Sequence, residues 1–132
     1  MTMAWACGVD LIDLQRWGRI LEVGGEAFCE RNFTAAERAW CRGDHARLAA
    51  RFAAKEAAAK ALGTGLRDGV ETTDIEVVSA ASGQPSLHLH GEAAQRARLM
   101  NLEVWRLSLS HGDQQVIAFV MACSGAARIG MP

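Results

Sequence analysis

The sequence carries almost no net charge, has no long apolar run and has no closely spaced cysteines. Its formal net charge is −1 over 132 residues, which argues against a protein that binds nucleic acid nonspecifically. No apolar run approaches the length of a membrane span. The first residues also lack the charged and then apolar build of a signal peptide. We therefore expect a cytoplasmic protein with neither a nucleic-acid nor a membrane partner.

The cysteines are few and far apart, and none forms a C-x-x-C pair; they are Cys7, Cys29, Cys41 and Cys123. Such spacing argues against a zinc site or a disulfide framework and favours reduced thiols. Half of the 132 residues are hydrophobic, enough for a core in a chain of this length. We expect one domain over residues 1–132.

The clearest helix signal is residues 51–65, with the sequence RFAAKEAAAKALGTG. Its residues are strong helix formers, and Gly63 and Gly65 supply a stop. Its alanines form a smooth face, which predicts a central helix that is buried along much of its length. Glu56 and Lys60 share another face, four residues apart. They fit either an i,i+4 ion pair or a metal ligand beside a phosphate-binding lysine.

An apolar segment from Trp5 leads into two acidic residues, Asp10 and Asp13. Asp13 can cap a helix over residues 14–23, which the glycines at 24–25 would end. Asp10 has no such structural role. A carboxylate in an apolar run is costly unless it is hydrogen-bonded, paired or bound to a cation. The residues alone leave open whether backbone N–H groups or a cation satisfy Asp10.

The helix that follows Asp13 mixes basic and apolar side chains. Arg16 and Arg19 lie beside Trp17, Ile20 and Leu21. Such a mixture fits either a docking surface for an acidic partner or an ordinary solvated helix face.

The rest of the chain predicts helices first and strands afterwards. One helix is expected at 26–32. A second should follow the T-x-x-E capping box of Thr34 and Glu37, and the central helix should follow the cap at Asp44. Strands are expected at 73–79, 86–90, 103–110 and 115–122, with one helix at 91–100. This order predicts an α+β fold, a mostly antiparallel sheet packed around the long central helix.

Several segments, taken in order, resemble one family. They are GVDLID at 8–13, FTAAE at 33–37, RFAAKEA with KALGTG within 51–65, DIEV at 74–77, GQP at 83–85 and SLSH at 108–111. Over residues 6–122 this ordered set resembles the holo-acyl-carrier-protein synthases, the small single-domain type of 4′-phosphopantetheinyl transferase.

The resemblance implies a transferase that moves 4′-phosphopantetheine from coenzyme A to a serine of apo acyl carrier protein. The other product is adenosine 3′,5′-bisphosphate, and the reaction supports fatty acid or polyketide biosynthesis. Asp10, Glu56 and Lys60 are the implied catalytic residues. The two carboxylates would hold Mg²⁺ on the pyrophosphate, a ligand set that Mg²⁺ prefers, and Lys60 would support the departing phosphate. Glu56 or a metal-bound water would take the serine proton.

The resemblance also implies the substrate contacts and the assembly. The implied coenzyme A residues are Arg47, Arg51, Lys60, Gly63, Gly65, Gln84, Pro85, Ser86 and His111. From the residues alone, Arg47 and Arg51 could equally be solvated charges. The residues at 83–85 and 111 could likewise be ordinary turn residues. Arg16 and Arg19 match the carrier-protein region. Family members are homotrimers with the coenzyme A site between subunits. The chain departs from the family pattern at Asp13, where the family more often has a glutamate.

Two other functions are compatible with parts of this pattern. One is a different Mg²⁺-dependent phosphoryl-transfer enzyme, although the sequence has no P-loop or kinase signature. The other is an inactive homologue that binds carrier proteins. The presence of Asp10, Glu56 and Lys60 counts against it.

Overall fold

The order of helices and strands agrees with the α+β prediction. The computed structural model describes residues 3–66 and 68–125. Its elements are β1 Trp5–Asp13, α1 Leu14–Asn32, α2 Ala35–Cys41, α3 His45–Ala61, β2 Ile75–Ser79, β3 Pro85–Leu89, α4 Gly91–Leu99, β4 Val104–His111 and β5 Gln115–Cys123. Strand β2 starts later than predicted because the residues before it, Thr72–Asp74, form a 3₁₀ turn.

The helices begin at the caps that the sequence predicts. The side chains of Asp13 and Asp44 each accept a hydrogen bond from a backbone N–H in the next turn, at 2.8 and 2.9 Å. Thr34 and Glu37 form the reciprocal capping box at the start of α2. The predicted break near residue 25 is a kink inside α1, where Gly25 has a φ of 59°. A left-handed φ of this kind suits glycine, which has no Cβ.

The antiparallel strands divide into two sheets. One is three-stranded with the order β1-β5-β4, and the other is the β2-β3 hairpin. Helix α3 packs on the three-stranded sheet, and its alanines from Ala49 onward are almost fully buried, as predicted. The two elements touch closely at Gly8 of β1. A Cβ built there would lie 1.9 Å from the carbonyl oxygen of Ala57, so glycine permits this approach.

An aromatic cluster fixes α1 against α3. Trp17 lies among Phe28, Phe33 and Phe52, with ring centroids 5.1–6.4 Å from its own. Trp17 and Leu21 are both buried. The expectation that they offer contact area to a partner is therefore wrong, because these side chains belong to the core.

The other face of the three-stranded sheet is apolar along β1 and β5 and is not covered by the described part of the chain. Alternate residues of β1 and β5 are 40–61% exposed there: Trp5, Val9, Leu11, Ile117, Phe119 and Met121. Because side chains alternate across a strand, the residues between them face α3. This surface is here called the open sheet face. None of the helices in the described ranges is both long and apolar enough to span a membrane.

Candidate active site

The predicted catalytic residues converge where β1 meets α3. Lys60, on the last turn of α3, donates hydrogen bonds to Asp10 Oδ1 at 3.1 Å and to the carbonyl oxygen of Val9 at 3.0 Å. Among the described residues, Lys60 makes its ion pair with Asp10 and not with Glu56. The alternative, an i,i+4 ion pair between Glu56 and Lys60 on α3, is therefore not formed. The lysine instead joins two elements.

Glu56 completes a compact group of charges with Asp10 and Lys60. Burial and the neighbouring Asp10 carboxylate raise the pKa of Glu56, and Lys60 opposes this rise. Two carboxylates and one ammonium leave an excess of negative charge that a divalent cation would neutralise. In residues 3–66 and 68–125 no three His, Cys, Asp or Glu side chains form a metal cluster. A pair of carboxylates suits Mg²⁺, which takes its remaining ligands from phosphates and water.

A cavity of about 340 Å³ lies beside α3, at the β2-β3 turn and β4. Five of the predicted coenzyme A residues line it, namely Arg47, Arg51, Gln84, Pro85 and His111. Its size is within the range of small-molecule sites. The structure therefore brings together residues that lie more than sixty positions apart in the sequence. The cavity combines two guanidinium groups with the apolar side chains of Leu107 and Leu109 from β4.

Arg51 is buried at this cavity and is not a solvated charge. Its exposure is only 4%, and burial lowers the pKa of its guanidinium. One terminal nitrogen donates a hydrogen bond to Ser79 Oγ, and the group lies 5.8 Å from the ring centroid of Trp40. Its Nε is buried and has no hydrogen-bond partner among the described residues. Arg51 thus places a buried positive charge at the wall of the cavity.

Four residues of the predicted coenzyme A site lie outside the residues that line the cavity. Gly63 and Gly65 form the turn after α3, where their φ values of 78° and 63° end the helix. Ser86 is exposed on β3 and donates a hydrogen bond to the carbonyl oxygen of Val78. Lys60 is occupied with Asp10, as described above. Within one chain, then, the charged group at Asp10 and the cavity are separate.

Sequence reasoning missed several lining residues of the cavity, among them Trp40 and Ser79. Trp40 lies on the helix that follows the capping box. A large aromatic residue on a helix of seven residues was the available signal. Ser79 ends a predicted strand, and no local pattern distinguishes it from other strand residues.

A buried ion pair was also missed. Lys55 donates hydrogen bonds to Glu37 Oε1 at 2.8 Å and to the carbonyl oxygens of Thr72 and Ile75 at 2.8 and 2.7 Å. The other oxygen of Glu37 accepts from the backbone N–H of Val77. Burial lowers the pKa of Lys55, and Glu37 partly restores it. The available signal was a lysine on the alanine face of a helix that should be buried.

The predicted carrier-protein residues lie together on α1. Arg16 and Arg19 line an open depression of about 560 Å³, together with Ile20, Val23 and Phe28. Val23 is 90% exposed. The apolar area that accompanies the two arginines is therefore Ile20 and Val23, and not the buried Trp17 and Leu21.

Comparison with known families identifies the class to which this fold and site belong. The sequence model of the 4′-phosphopantetheinyl transferase superfamily matches residues 6–120, so the chain belongs to that superfamily. The match includes Asp10, Glu56 and Lys60, and all five predicted residues of the cavity.

Within the superfamily, the chain is similar to the holo-[acyl-carrier-protein] synthases. It is 46% identical over 120 residues to that of Herpetosiphon aurantiacus, which covers 86% of this chain and 94% of the relative. The Neisseria meningitidis synthase structure is 36% identical with a TM-score of 0.79, covering 89% of this chain and 96% of that one. The Bacillus anthracis synthase, in complex with CoA (3′,5′-ADP), is 33% identical with a TM-score of 0.76, covering 94% and 100%. The family resemblance and the α+β fold are thereby confirmed.

Proposed function

We propose that this protein transfers the 4′-phosphopantetheine group from coenzyme A to a serine of apo acyl carrier protein. The observation that carries the proposal is the meeting of Asp10, Glu56 and Lys60 at the contact of β1 with α3. Similarity to holo-[acyl-carrier-protein] synthases over most of the chain supports the same activity. The solved Bacillus anthracis relative holds CoA (3′,5′-ADP), which supports coenzyme A as the donor.

The reaction moves one phosphoryl group between two oxygens. The serine hydroxyl gives its proton to Glu56 or to a water, its oxygen forms a bond to the β-phosphorus of coenzyme A, and the bond from that phosphorus to the bridging oxygen breaks. The bridging oxygen leaves with adenosine 3′,5′-bisphosphate. Lys60 is placed to support the negative charge on the leaving group because its ammonium is already directed at the Asp10 carboxylate, where the pyrophosphate would lie.

Asp10 and Glu56 are the residues that would hold Mg²⁺. The fit rests on the donor set, since two carboxylates lie together and burial and the Asp10 carboxylate raise the pKa of Glu56. When bound, the ion would offset the charge of the pyrophosphate oxygens during the transfer. The carboxylates of the chain would thereby orient the pyrophosphate next to Lys60.

The cavity is the proposed site of the adenosine bisphosphate end of coenzyme A. Arg47, Arg51 and His111 supply donors for phosphate oxygens, and Gln84 and Pro85 form an edge next to the base. Contacts from Gly63, Gly65 and Ser86 stay predictions, since these residues do not line the cavity of one chain.

A homotrimer is the proposed assembly, with the coenzyme A site between neighbouring subunits. The open sheet face supports it, because a contiguous apolar surface of this kind commonly marks an interface. The separation of the charged group from the cavity within one chain supports it too. Two neighbouring subunits can each supply one half of a site.

The carrier protein is proposed to dock on α1. Arg16 and Arg19 offer positive charge to an acidic helix, and the depression that they line offers the apolar contacts of Ile20 and Val23.

The four cysteines are all unpaired. This supports the proposed cytoplasmic location, where thiols stay reduced.

The activity can be tested by incubating the purified protein with coenzyme A, Mg²⁺ and an apo acyl carrier protein. Mass spectrometry should show a carrier protein heavier by one phosphopantetheine group. A carrier protein with alanine in place of its acceptor serine is the control and should stay unmodified. Stable binding of carrier protein with no mass gain would instead identify an inactive carrier-binding homologue.

A further inference from the structure

Trp40 is a large aromatic residue with no evident task in the core. It lies on α2, its exposure is 39%, and it borders the cavity beside α3. It also borders a second, more open depression, lined by Ala36, Ala39, Arg42 and Arg47. Burying such a ring stabilises a fold substantially. Trp40 therefore offers an exposed aromatic surface to a molecule in the cavity.

Both arginines predicted to bind phosphate are in contact with this residue. The guanidinium of Arg51 lies 5.8 Å from the ring centroid of Trp40, a cation–π distance. Arg47 donates a hydrogen bond from Nη1 to the backbone oxygen of Trp40 at 3.4 Å. An anion held by these two arginines would therefore lie next to the indole ring.

The proposed substrate end carries a flat base next to its phosphates. Among the described residues, Trp40 is the only Trp, Tyr or Phe that lines the cavity. Stacking on an aromatic side chain is a general way to hold a base, because every base has a π face. Arg47, which is exposed and lines the same cavity, supplies donors for a phosphate oxygen close to that ring.

We propose that Trp40 is a substrate-recognition residue that stacks on the adenine ring of coenzyme A. The inference rests on the proposed function and adds the residue that holds the base. Arg47 and Arg51 hold the phosphates of the nucleotide, and the indole holds the purine beside them. Trp40 does not touch the reacting phosphorus, so it sets the affinity for coenzyme A and not the rate of the chemical step.

Kinetics of two variants test the size of the effect. Trp40→Leu should raise the KM for coenzyme A by about tenfold, the range of base–aromatic stacking. Trp40→Phe retains a ring and should change this KM by roughly threefold or less. The kcat and the KM for carrier protein should stay as in the wild type. Equal KM values for coenzyme A in the wild type and Trp40→Leu would overturn the proposal.

Fluorescence distinguishes stacking from mere support of Arg51. Binding of adenosine 3′,5′-bisphosphate should quench the tryptophan emission of the wild type, and Trp40→Phe should lose this quenching while calorimetry still detects binding. Trp105→Phe is the matched control. Trp105 donates its indole N–H to the carbonyl oxygen of Leu102 and does not line the cavity, so this variant should retain the quenching.

The outcomes separate this inference from the proposed function. Binding with undiminished quenching in Trp40→Phe would overturn the stacking alone. A wild type that neither binds adenosine 3′,5′-bisphosphate nor modifies the carrier protein would overturn the proposed function and the stacking with it. Circular dichroism of both Trp40 variants confirms that the helix content is retained. The Phe variant keeps the test valid if the Leu variant folds poorly.

Discussion

At the scale of single residues, Asp10 and Glu56 have the clearest chemical task. Asp10→Ala and Glu56→Ala should each abolish Mg²⁺-dependent transfer, because either change leaves one carboxylate where the proposed metal needs two. Neither side chain is part of the buried apolar core, so circular dichroism should show an intact fold. The transfer assay, run over a Mg²⁺ titration, measures the loss. Full activity of either variant at saturating Mg²⁺ would disprove the assignment.

Lys55 and Lys60 lie on the same helix and differ in their surroundings. Lys55 is fully buried with Glu37, whereas the Lys60 side chain is 52% exposed beside Asp10. Lys55→Met should reduce the free energy of unfolding by roughly 3–5 kcal/mol, because it leaves the Glu37 carboxylate buried without its partner.

Lys60→Met is the matched control for Lys55→Met. It should cost at most about 1 kcal/mol of stability, as exposed ion pairs do, but it should greatly reduce transfer. Urea unfolding at one fixed protein concentration measures both variants. Similar stabilities for the two variants would show that the Lys55 pair does not stabilise the fold as proposed.

At the scale of elements, α1 is the helix that should meet the carrier protein. Replacing Arg16 and Arg19 by glutamate should raise the KM for carrier protein well over tenfold at low salt, a rough figure for reversing two charges at an electrostatically steered contact. The KM for coenzyme A should barely change, because its proposed site uses other elements. Steady-state kinetics with each substrate varied in turn measures both constants.

A second charge reversal controls for the loss of positive charge in general. Arg31 and Arg98 are both exposed and lie outside the α1 depression. Glutamate at these two positions changes the net charge by the same amount and should leave the KM for carrier protein near the wild-type value. An unchanged KM in the Arg16 and Arg19 variant would mean that these arginines are merely solvated. The difference from wild type should also shrink as salt is added.

At the scale of the whole molecule, the open sheet face predicts that the protein assembles. Light scattering at micromolar concentration should give the mass of a trimer. Phe119→Glu places a charge in the centre of this face and should give monomers, since a charge buried at an interface is costly. If the active site lies between subunits, this variant should also lose transfer activity. A monomer mass for the wild type would contradict the assembly.

Much of the fold was predictable because it depends on short-range rules. Asp13, Thr34 and Asp44 cap helices since their side chains reach backbone N–H groups three residues ahead. The alanine-rich face of α3 predicts a buried helix from its composition and its helical period alone. The ordered motifs predicted the family, and that prediction is confirmed.

The sequence by itself thus determined the helices, their caps, the hairpins and the family, because each depends on neighbours within one or two turns or on an ordered set of motifs. The tertiary structure decided which charges meet. Lys60 pairs with Asp10 across fifty residues, Arg51 is buried against Trp40 and Ser79, and Trp17 points into the core. No local period encodes these contacts, since they follow from how α3 crosses β1 and how α2 packs beside it. Burial and pairing depend on that packing.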